Sequence, residues 1–420
     1  MADISSINRE RKKKQLKQQM VTNIPPRMEP ELDNEDELRA AQKRSRKRRL
    51  ILLVVLLLVA GGCAFGVYHY QRYYQFTSLD IAWERNMEEG SFVGYKNFGS
   101  NVLKYTKDGA SYIDNQGKDV WSQSYEMKTP IVSVSGGYAA IADQQGNSIY
   151  ICDKNGYQGT ATTLLPILRV AVSQNGVVAA ILEDSTSNYI TFFRKDGSAL
   201  DLTIKTKMSG NGFPEDISLS PDGTQLICSY TYLTNGEVRG RVVFYDFSEI
   251  GKNVPNRLVA GYDDPFASSI VARVRFLSGV NSVAFANDSI AFFSSKNLAS
   301  PEMIKQIAVE EKIQSVTYSD EYVGIIVATD GGQFPNRLDV YKKDGTPVFS
   351  KEFDYQYRHA DIDGDLVLLY NEESCKVFNM SGVEKLSTQF DYTVSKITKG
   401  RYPNTLIVTG PQTMKEFKLH

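Results

Sequence analysis

Histidine is scarce in this chain, which contains only His69, His359 and His420. A metal centre built from several histidines is therefore excluded, and a Ser-His-Asp triad would depend on His359. The sequence has no G-x-S-x-G, H-E-x-x-H, C-x-x-C, S-x-x-K or P-loop motif. Because His359 begins a predicted strand, we expect it to be a structural or polar residue. We expect no catalytic residue, no metal ion and no cofactor.

Closely spaced carboxylates occur at Asp361, Asp363 and Asp365, and Glu372 follows at the distance found in calcium loops. The sixth position of such a loop should be glycine, but a leucine stands there and LVLLY reads as a strand. A type I′ hairpin turn at Asp363-Gly364 explains the same residues. An alternative function as a hydrolase or lyase that uses carboxylates at the centre of the domain stays open, because paired carboxylates need no sequence motif.

Four cysteines are present, and Cys63 lies in an apolar run. The other three, Cys152, Cys228 and Cys375, lie in strand-like segments and could form at most one disulfide. We expect them to be buried free thiols that act as small apolar side chains.

One segment is apolar enough to cross a membrane. Ten consecutive Leu, Ile or Val residues form Leu50–Val59, and the uncharged stretch continues to Tyr68. A basic run precedes it at Lys43–Arg49 and aromatic residues follow it, so the positive-inside rule places the N-terminus in the cytoplasm. We predict a transmembrane helix from Leu50 to Tyr70 in a single-pass protein of the cell membrane. The alternatives are a cleaved signal peptide and a lipoprotein anchor at Cys63.

The first 50 residues carry 14 Lys and Arg against 8 Asp and Glu, which leaves the remainder of the chain acidic. An acidic outer domain excludes nucleic acid as a partner. Residues 1–49 are predicted to be a cytoplasmic tail that is largely disordered up to residue 35, whereas Glu31–Arg49 is compatible with helix. A possible dimer contact through the transmembrane helix is indicated by Gly62-x-x-x-Gly66.

Internal repeats fill the rest of the chain. A juxtamembrane linker is predicted at residues 71–78 and an all-β domain at residues 79–420. This domain contains eight repeating units of about 43 residues each, which is the length of a four-stranded propeller blade. We predict an eight-bladed β-propeller, with seven blades as the alternative, in which Leu79–Trp83 supplies the missing fourth strand of the last blade. The third strands of the eight units are predicted at Ser111–Asp114, Ser148–Asp153, Tyr189–Arg194, Arg241–Asp246, Ser289–Ser294, Arg337–Lys342, Ser374–Asn379 and Thr413–Lys418.

Four long irregular segments are assigned to second-to-third-strand loops and blade-to-blade connections, which emerge on one face of a propeller. They are Lys207–Glu215, Leu233–Arg239, Ser248–Ser268 and Asp330–Asn336. Because function concentrates on elaborated loops, we predict a binding face there. Its candidate residues are Asn211, Phe213, Arg239, Tyr262, Asp263, Asp264, Phe266, Asp330, Phe334 and Arg337.

Two turns carry a family resemblance. Ser220-Pro221-Asp222-Gly223 resembles the first-hairpin turn of WD40-like and TolB-like propellers, and Gly117-Lys118-Asp119-Val120-Trp121 resembles a quinoprotein-type (PQQ-like) blade. The order of basic tail, anchor, VLKYTKDGASYIDNQGKDVWSQSYEMKTP and LSPDGTQL resembles a bacterial family of membrane-anchored propellers catalogued as a domain of unknown function. The resemblance implies a fold and an envelope location. Because no catalytic set is visible and the repeats build a strong scaffold, we expect a non-catalytic binding or scaffold module that recognises an envelope protein, peptide or glycan through the face bearing the long loops.

Overall fold

The computed structural model describes residues 9–17, 34–87, 92–207, 210–329 and 331–420. The chain divides into two compact units, residues 1–71 and residues 72–420. Of the predicted site residues, Asp330 lies outside the described residues.

The N-terminal unit is helical. Residues 9–17 form helix α1, a basic stretch whose Arg, Lys, Gln and Leu residues are good helix formers. Helix α2 spans Asn34–Tyr73, and the helix-compatible segment before the apolar run is part of it. By length and composition, Gln42–Tyr73 can cross a membrane, and its side chains are exposed.

The second unit is an eight-bladed β-propeller of four-stranded antiparallel sheets, as predicted. From the inner to the outer strand, the first four blades are β2 (Phe92–Phe98), β3 (Asn101–Thr106), β4 (Gly109–Ile113) and β5 (Asp119–Ser124); β6 (Pro130–Ser135), β7 (Tyr138–Asp143), β8 (Ser148–Asp153) and β9 (Gly156–Thr162); β10 (Ile167–Val172), β11 (Val178–Glu183), β12 (Asn188–Phe193) and β13 (Ala199–Thr206); and β14 (Phe213–Leu219), β15 (Gln225–Thr234), β16 (Glu237–Asp246) and β17 (Leu258–Tyr262).

The last four blades follow in the same order. They are β18 (Val271–Phe276), β19 (Asn281–Ala286), β20 (Ser289–Ser294) and β21 (Glu302–Ala308); β22 (Ile313–Tyr318), β23 (Tyr322–Ala328), β24 (Asn336–Lys342) and β25 (Pro347–Phe353); β26 (His359–Asp363), β27 (Leu366–Tyr370), β28 (Ser374–Asn379) and β29 (Glu384–Gln389); and β30 (Lys396–Lys399), β31 (Thr405–Thr409) and β32 (Thr413–Leu419), completed by β1 (Leu79–Asn86).

The ring is closed by strands from both ends of the propeller. Strand β1 pairs antiparallel with β32, from Leu79 opposite Leu419 to Asn86 opposite Thr413. The prediction that the segment from Leu79 supplies the fourth strand of the last blade is confirmed. The ring is therefore closed, and the sheets of the first and last blades pack against each other instead of facing solvent.

The segment before β1 is docked on the propeller rather than being a free linker. The Phe76 amide donates to the Lys385 carbonyl at 2.7 Å, and Ser78 and His420 exchange backbone hydrogen bonds at 3.1 and 3.0 Å. The Lys385 ammonium lies 5.0 Å from the centre of the Phe76 ring. The chain therefore enters the propeller beside the start of β29 and the end of β32.

Blades pack on both faces, which explains the continuous apolar runs of the middle strands. In β11, Ala180 and Leu182 contact the second blade, whereas Ala179 and Ile181 contact the fourth. All four are buried. Burial of each such Ile or Leu side chain stabilises the folded state by about 1.5–3 kcal/mol. Because every blade packs on both faces, the core is a ring of interfaces between blades rather than a single cluster.

Strand direction sorts the connections into two faces. Second-to-third-strand hairpins and blade-to-blade connections lie on one face, here named the loop face, and the remaining turns lie on the opposite, tight-turn face. The assignment of Ser248–Ser268 entirely to the loop face is wrong. Strand β17 divides it, so residues 247–257 lie on the tight-turn face and only Asp263–Ile270 lie on the loop face.

A buried carboxylate organises one turn of the tight-turn face, and the predicted type of another turn is wrong. The long loop on the tight-turn face is organised by buried Asp246, whose carboxylate accepts hydrogen bonds from the amides of Ser248 and Gly251 at 3.0 and 3.1 Å. The hairpin after β26 exists, but its two-residue loop is Gly364-Asp365 and only Gly364 has a positive φ, of 60°. A type I′ turn needs two such residues, so the turn is of another type.

Candidate functional site

The most prominent element of the loop face is the hairpin of blade 4. Strands β15 and β16 have ten residues each, whereas their counterparts in the other blades have five to seven. Leu233–Arg239, predicted to be an irregular loop, is therefore mostly strand, with a turn at Asn235-Gly236 where both φ values are positive, 53° and 83°. At about 3.4 Å per residue, the extra pairs lengthen the hairpin by roughly 10 Å.

Apolar side chains occupy the tip of this hairpin. Leu233 and Val238 pair across it and are 58% and 47% exposed. The base is held firmly, because the Arg241 guanidinium lies 4.7 Å from the Tyr232 ring centre and forms an ion pair with Asp263. Burial opposes the charge of Arg241, but the hydrogen bond and charge of Asp263 together with Tyr232 outweigh burial and raise the pKa of Arg241.

The hairpin adjoins the connection between blades 4 and 5. A side chain added at Gly240 would meet the Ser269 carbonyl oxygen at 2.5 Å, so the two backbones are in close contact. Ile270, the next residue, is 45% exposed. Leu164 and Phe334 are further exposed apolar residues of the loop face, at 99% and 37%. The sequence prediction missed Leu164, Leu233, Val238 and Ile270, although Leu and Val flanking an Asn-Gly turn are a typical hairpin signal.

The predicted site residues have different roles. Exposed or half-exposed positions are held by Asn211, Phe213, Arg239, Asp264 and Phe334. Four others have structural partners: Tyr262 donates to the Pro301 carbonyl at 2.6 Å, Asp263 pairs with Arg241, Arg337 pairs with Asp339 at 3.0 Å, and Phe266 is 0% exposed in the core between blades 4 and 5.

A second concave feature is the axial channel, a cavity of about 1700 Å³. Its walls are formed mainly by the first strands of the blades, and it reaches both faces. His359 lies at its wall, as predicted, with its ring stacked 5.1 Å from that of Tyr370. Burial lowers the pKa of His359, which favours the neutral imidazole at neutral pH.

Two aspartates of β26 face this channel in contrasting environments. Asp361 accepts hydrogen bonds from Lys396 Nζ at 2.9 Å and Tyr370 Oη at 2.7 Å. Burial alone would raise the pKa of Asp361, but the Lys396 charge and the Tyr370 hydrogen bond outweigh it and lower this pKa. Asp363 accepts from the Lys399 amide at 2.9 Å, and burial raises its pKa.

Basic residues of blade 5 also line the channel. Arg275 donates from Nε to Tyr318 Oη at 2.6 Å, and its Nη1 lies 4.0 Å from Asp216 Oδ2. Burial would raise the pKa of Tyr318, but the adjacent guanidinium outweighs it, and this pKa is lowered. The channel therefore combines hydroxyl, carboxylate and basic groups within one water-accessible space.

Solved structures share the fold at low sequence identity. Sqt1 of Chaetomium thermophilum bound to the N-terminus of the ribosomal protein L10 is 10% identical, with a TM-score of 0.52 over 81% of this chain and 100% of that chain. The Dos1 propeller is 13% identical, with a TM-score of 0.51 over 81% and 95%. Apo AztD from Citrobacter koseri is 10% identical, with a TM-score of 0.50 over 73% and 88%.

A search of curated protein sequences gives no match. A family model described as "Family of unknown function (DUF5711)" matches residues 72–419, from the end of helix α2 to the last strand of the propeller. The expected resemblance to a propeller family of unknown function is thereby confirmed. The chain belongs to the DUF5711 family.

Proposed function

We propose that this protein is a membrane-tethered, non-catalytic binding module that recognises an envelope protein or peptide through its loop face. The observation that carries the proposal is the long β15–β16 hairpin, which holds Leu233 and Val238 in solvent on a well-anchored base. Exposed aliphatic side chains on a rigid element are typical of interaction sites. A glycan fits this tip less well, because Leu and Val offer no side-chain hydrogen bonds.

The proposed location is the outer side of the cell membrane. The basic run Lys43–Arg49 precedes the apolar part of α2, which favours a cytoplasmic tail of residues 1–49 and a membrane segment of Leu50–Tyr70. Residues 71–78 then form the juxtamembrane segment and residues 79–420 the outer propeller.

A structural neighbour supports the proposed mode at the level of the fold. Sqt1, a propeller with a TM-score of 0.52 to this chain, is described as bound to the N-terminus of the ribosomal protein L10. Propellers of this general shape can therefore capture a segment of another protein. At 10% identity the likeness says nothing about which partner this chain would take.

Cross-linking in intact cells followed by affinity capture tests this proposal. The wild type is compared with Leu233→Thr/Val238→Thr, which places a residue of high strand propensity at both positions and removes apolar surface. We expect a defined cross-linked partner to be lost from this variant. The matched control is Ile250→Thr/Tyr402→Ser, since both residues are exposed apolar side chains on the tight-turn face. Equal recovery of the partner with both double variants would refute binding through the hairpin.

A second candidate function rests on the two channel aspartates. Asp361 and Asp363 have pKa values displaced in opposite directions, as an acid and a base of a hydrolase or lyase require. We rank this second because Lys396 and Tyr370 already engage Asp361. Hydrolysis of an envelope glycan or peptide by the purified protein, abolished by Asp363→Asn, would favour the enzyme.

A further inference from the structure

Four basic side chains of the inner strands line the axial channel, and a fifth, Arg358, directly precedes β26 and pairs with Glu372. Lys96 belongs to blade 1, Arg273 and Arg275 to blade 5, and Lys396 to blade 8. In an eight-membered ring, blades 1 and 5 stand opposite each other, so the cations approach the channel axis from different sides. Two of them have carboxylate neighbours: Lys396 pairs with Asp361 at 2.9 Å, and Arg275 lies 4.0 Å from Asp216.

Lys96 and Arg273 have no such partner. Among the described residues, neither side chain forms a hydrogen bond or has a carboxylate oxygen within 4.0 Å. Both are water-accessible inside the channel. Burial lowers the pKa of Lys96, and the charges of Lys396 and Arg275 add to this, whereas Tyr318 and Asp361 act in the opposite direction. Lys96 thus shares the Asp361 carboxylate with Lys396 and has no ion pair of its own among the described residues.

Apart from Asp361, which pairs with Lys396, the channel carboxylates described by the structure form no ion pair with Lys96 or Arg273. Glu372 pairs with Arg358 and Glu321 pairs with Lys343 at 2.7 Å. Asp363 accepts a backbone amide, and burial raises its pKa, which favours the neutral acid. Asp320 is exposed in the turn after β22, at the tight-turn end of the channel.

We propose that the axial channel binds an oxyanion of the phosphate or carboxylate class through Lys96, Arg273 and Tyr318. Charge-assisted hydrogen bonds from an ammonium and a guanidinium would neutralise the two unpaired cations. The Tyr318 hydroxyl accepts from Arg275 and keeps its own proton to donate to the anion. This proposal is independent of the loop-face proposal, because it uses inner-strand residues and none of the hairpin residues.

Titration calorimetry on the full-length protein in nonionic detergent tests the site. The probes are inorganic phosphate, citrate and a short glutamate-rich peptide, all at constant ionic strength. We expect saturable binding that weakens at least tenfold in Lys96→Met and in Arg273→Gln. The matched control is Arg169→Gln, which removes the same charge as Arg273→Gln. Arg169 follows the bulge of β10 as Arg273 follows the bulge of β18, but Arg169 is not among the residues that line the channel.

The three probes separate the sources of the anion. Binding of phosphate or citrate assigns the site to a free anion, and binding of the peptide alone assigns it to carboxylates on a protein chain. The melting temperature provides a second readout. Without an added anion and in low salt, Lys96→Met should melt at a higher temperature than the wild type, because the substitution removes repulsion between cations. With a saturating anion the difference should vanish, because the anion neutralises that repulsion in the wild type. Absence of saturable binding for all three probes, or equal affinity in Lys96→Met and Arg169→Gln, would overturn the proposal.

Discussion

At the scale of residues, Asp361 and Asp363 show how neighbours on one strand acquire opposite chemistry. Both side chains line the channel two positions apart on β26. Burial acts on both, but Asp361 also contacts a cation and a hydroxyl donor, whereas Asp363 meets only a backbone amide. The ionised form is therefore stabilised at one position and destabilised at the other.

The same substitution should have opposite effects at these two positions. Asp361→Asn leaves Lys396, whose side chain is 9% exposed, without its partner and should lower the free energy of unfolding at neutral pH by about 2–4 kcal/mol. Asp363→Asn keeps an oxygen that can accept from Lys399 and removes a disfavoured charge, so it should raise stability. Thermal melting of both variants at pH 7 measures the difference.

The pH dependence provides the control. Because the pKa of Asp361 is lowered on folding, its contribution is complete above the ordinary value of 3.8 and is lost as the pH falls through the lower folded value. For Asp363, whose pKa is raised on folding, the carboxyl lowers the free energy of unfolding progressively as the pH increases above 3.8. Both variants should approach the wild type in acid. Effects of equal size at pH 3 and pH 7 would contradict these ionisation states.

Residue-level roles on the loop face were only partly predictable from the sequence. Phe266 follows an Asp-Asp-Pro turn and resembles an exposed loop residue, yet it is buried among Phe244, Val274 and Phe293. Sequence periodicity cannot assign burial within a connection, because a loop has no repeating geometry. Conversely, the exposure of Leu233 depends on how far its hairpin projects, which is a property of the neighbouring blades.

At the scale of elements, the tight turns depend on glycines with positive φ. Gly345, in the hairpin between β24 and β25, has a φ of 79°. A side-chain carbon there would lie 2.8 Å from the Phe292 ring of the preceding blade. The turn is therefore constrained both by its own backbone and by packing between blades.

Gly345→Ala should be more damaging than Gly236→Ala. At Gly236, φ is 83° but no atom lies within 4 Å of an added side-chain carbon, so the cost is the backbone penalty of about 1–2 kcal/mol. At Gly345, displacement of Phe292 should add roughly 1–3 kcal/mol. Denaturant midpoints of the two variants give the comparison. A larger loss in Gly236→Ala would show that the contact between blades does not constrain the turn.

Strand positions were more predictable than loop positions. All eight predicted third strands coincide with observed ones, because alternating apolar residues and Gly-containing turns report local geometry. The failure at Ser248–Ser268 has a physical cause: β17 has only five residues and includes Gly261, so it lacks a recognisable strand pattern. Its position is determined by pairing with β16, which is a tertiary interaction.

At the scale of the whole molecule, closure of the ring makes the first and last strands interdependent. Removing residues 412–420 deletes β32 and leaves β1 without its pairing partner. We expect loss of the cooperative melting transition and aggregation through exposed strand edges. A synthetic peptide of residues 411–420 added in trans should restore the transition, whereas a peptide of scrambled order should not. Unchanged melting of the truncated protein would show that closure is dispensable.

The proposed topology can be tested with cysteine labelling, because the native thiols of the propeller are protected. Cys152, Cys228 and Cys375 are buried, and burial raises the pKa of Cys152 and Cys375 to about 12. A thiol with such a pKa is almost entirely protonated at neutral pH and reacts slowly with maleimides. A cysteine introduced at an exposed position should therefore dominate the signal.

Two single substitutions report the two sides of the membrane. Tyr402→Cys lies on an exposed turn of the propeller, and Ser45→Cys lies in the basic run before the apolar part of α2. With a membrane-impermeant maleimide on spheroplasts, we expect labelling of Tyr402→Cys and none of Ser45→Cys until the cells are lysed. The reason is the cost of moving Lys43–Arg49 across the hydrocarbon, about 2.5–3.5 kcal/mol for each Arg or Lys. Labelling of Ser45→Cys alone before lysis would place the propeller in the cytoplasm and exclude an envelope partner.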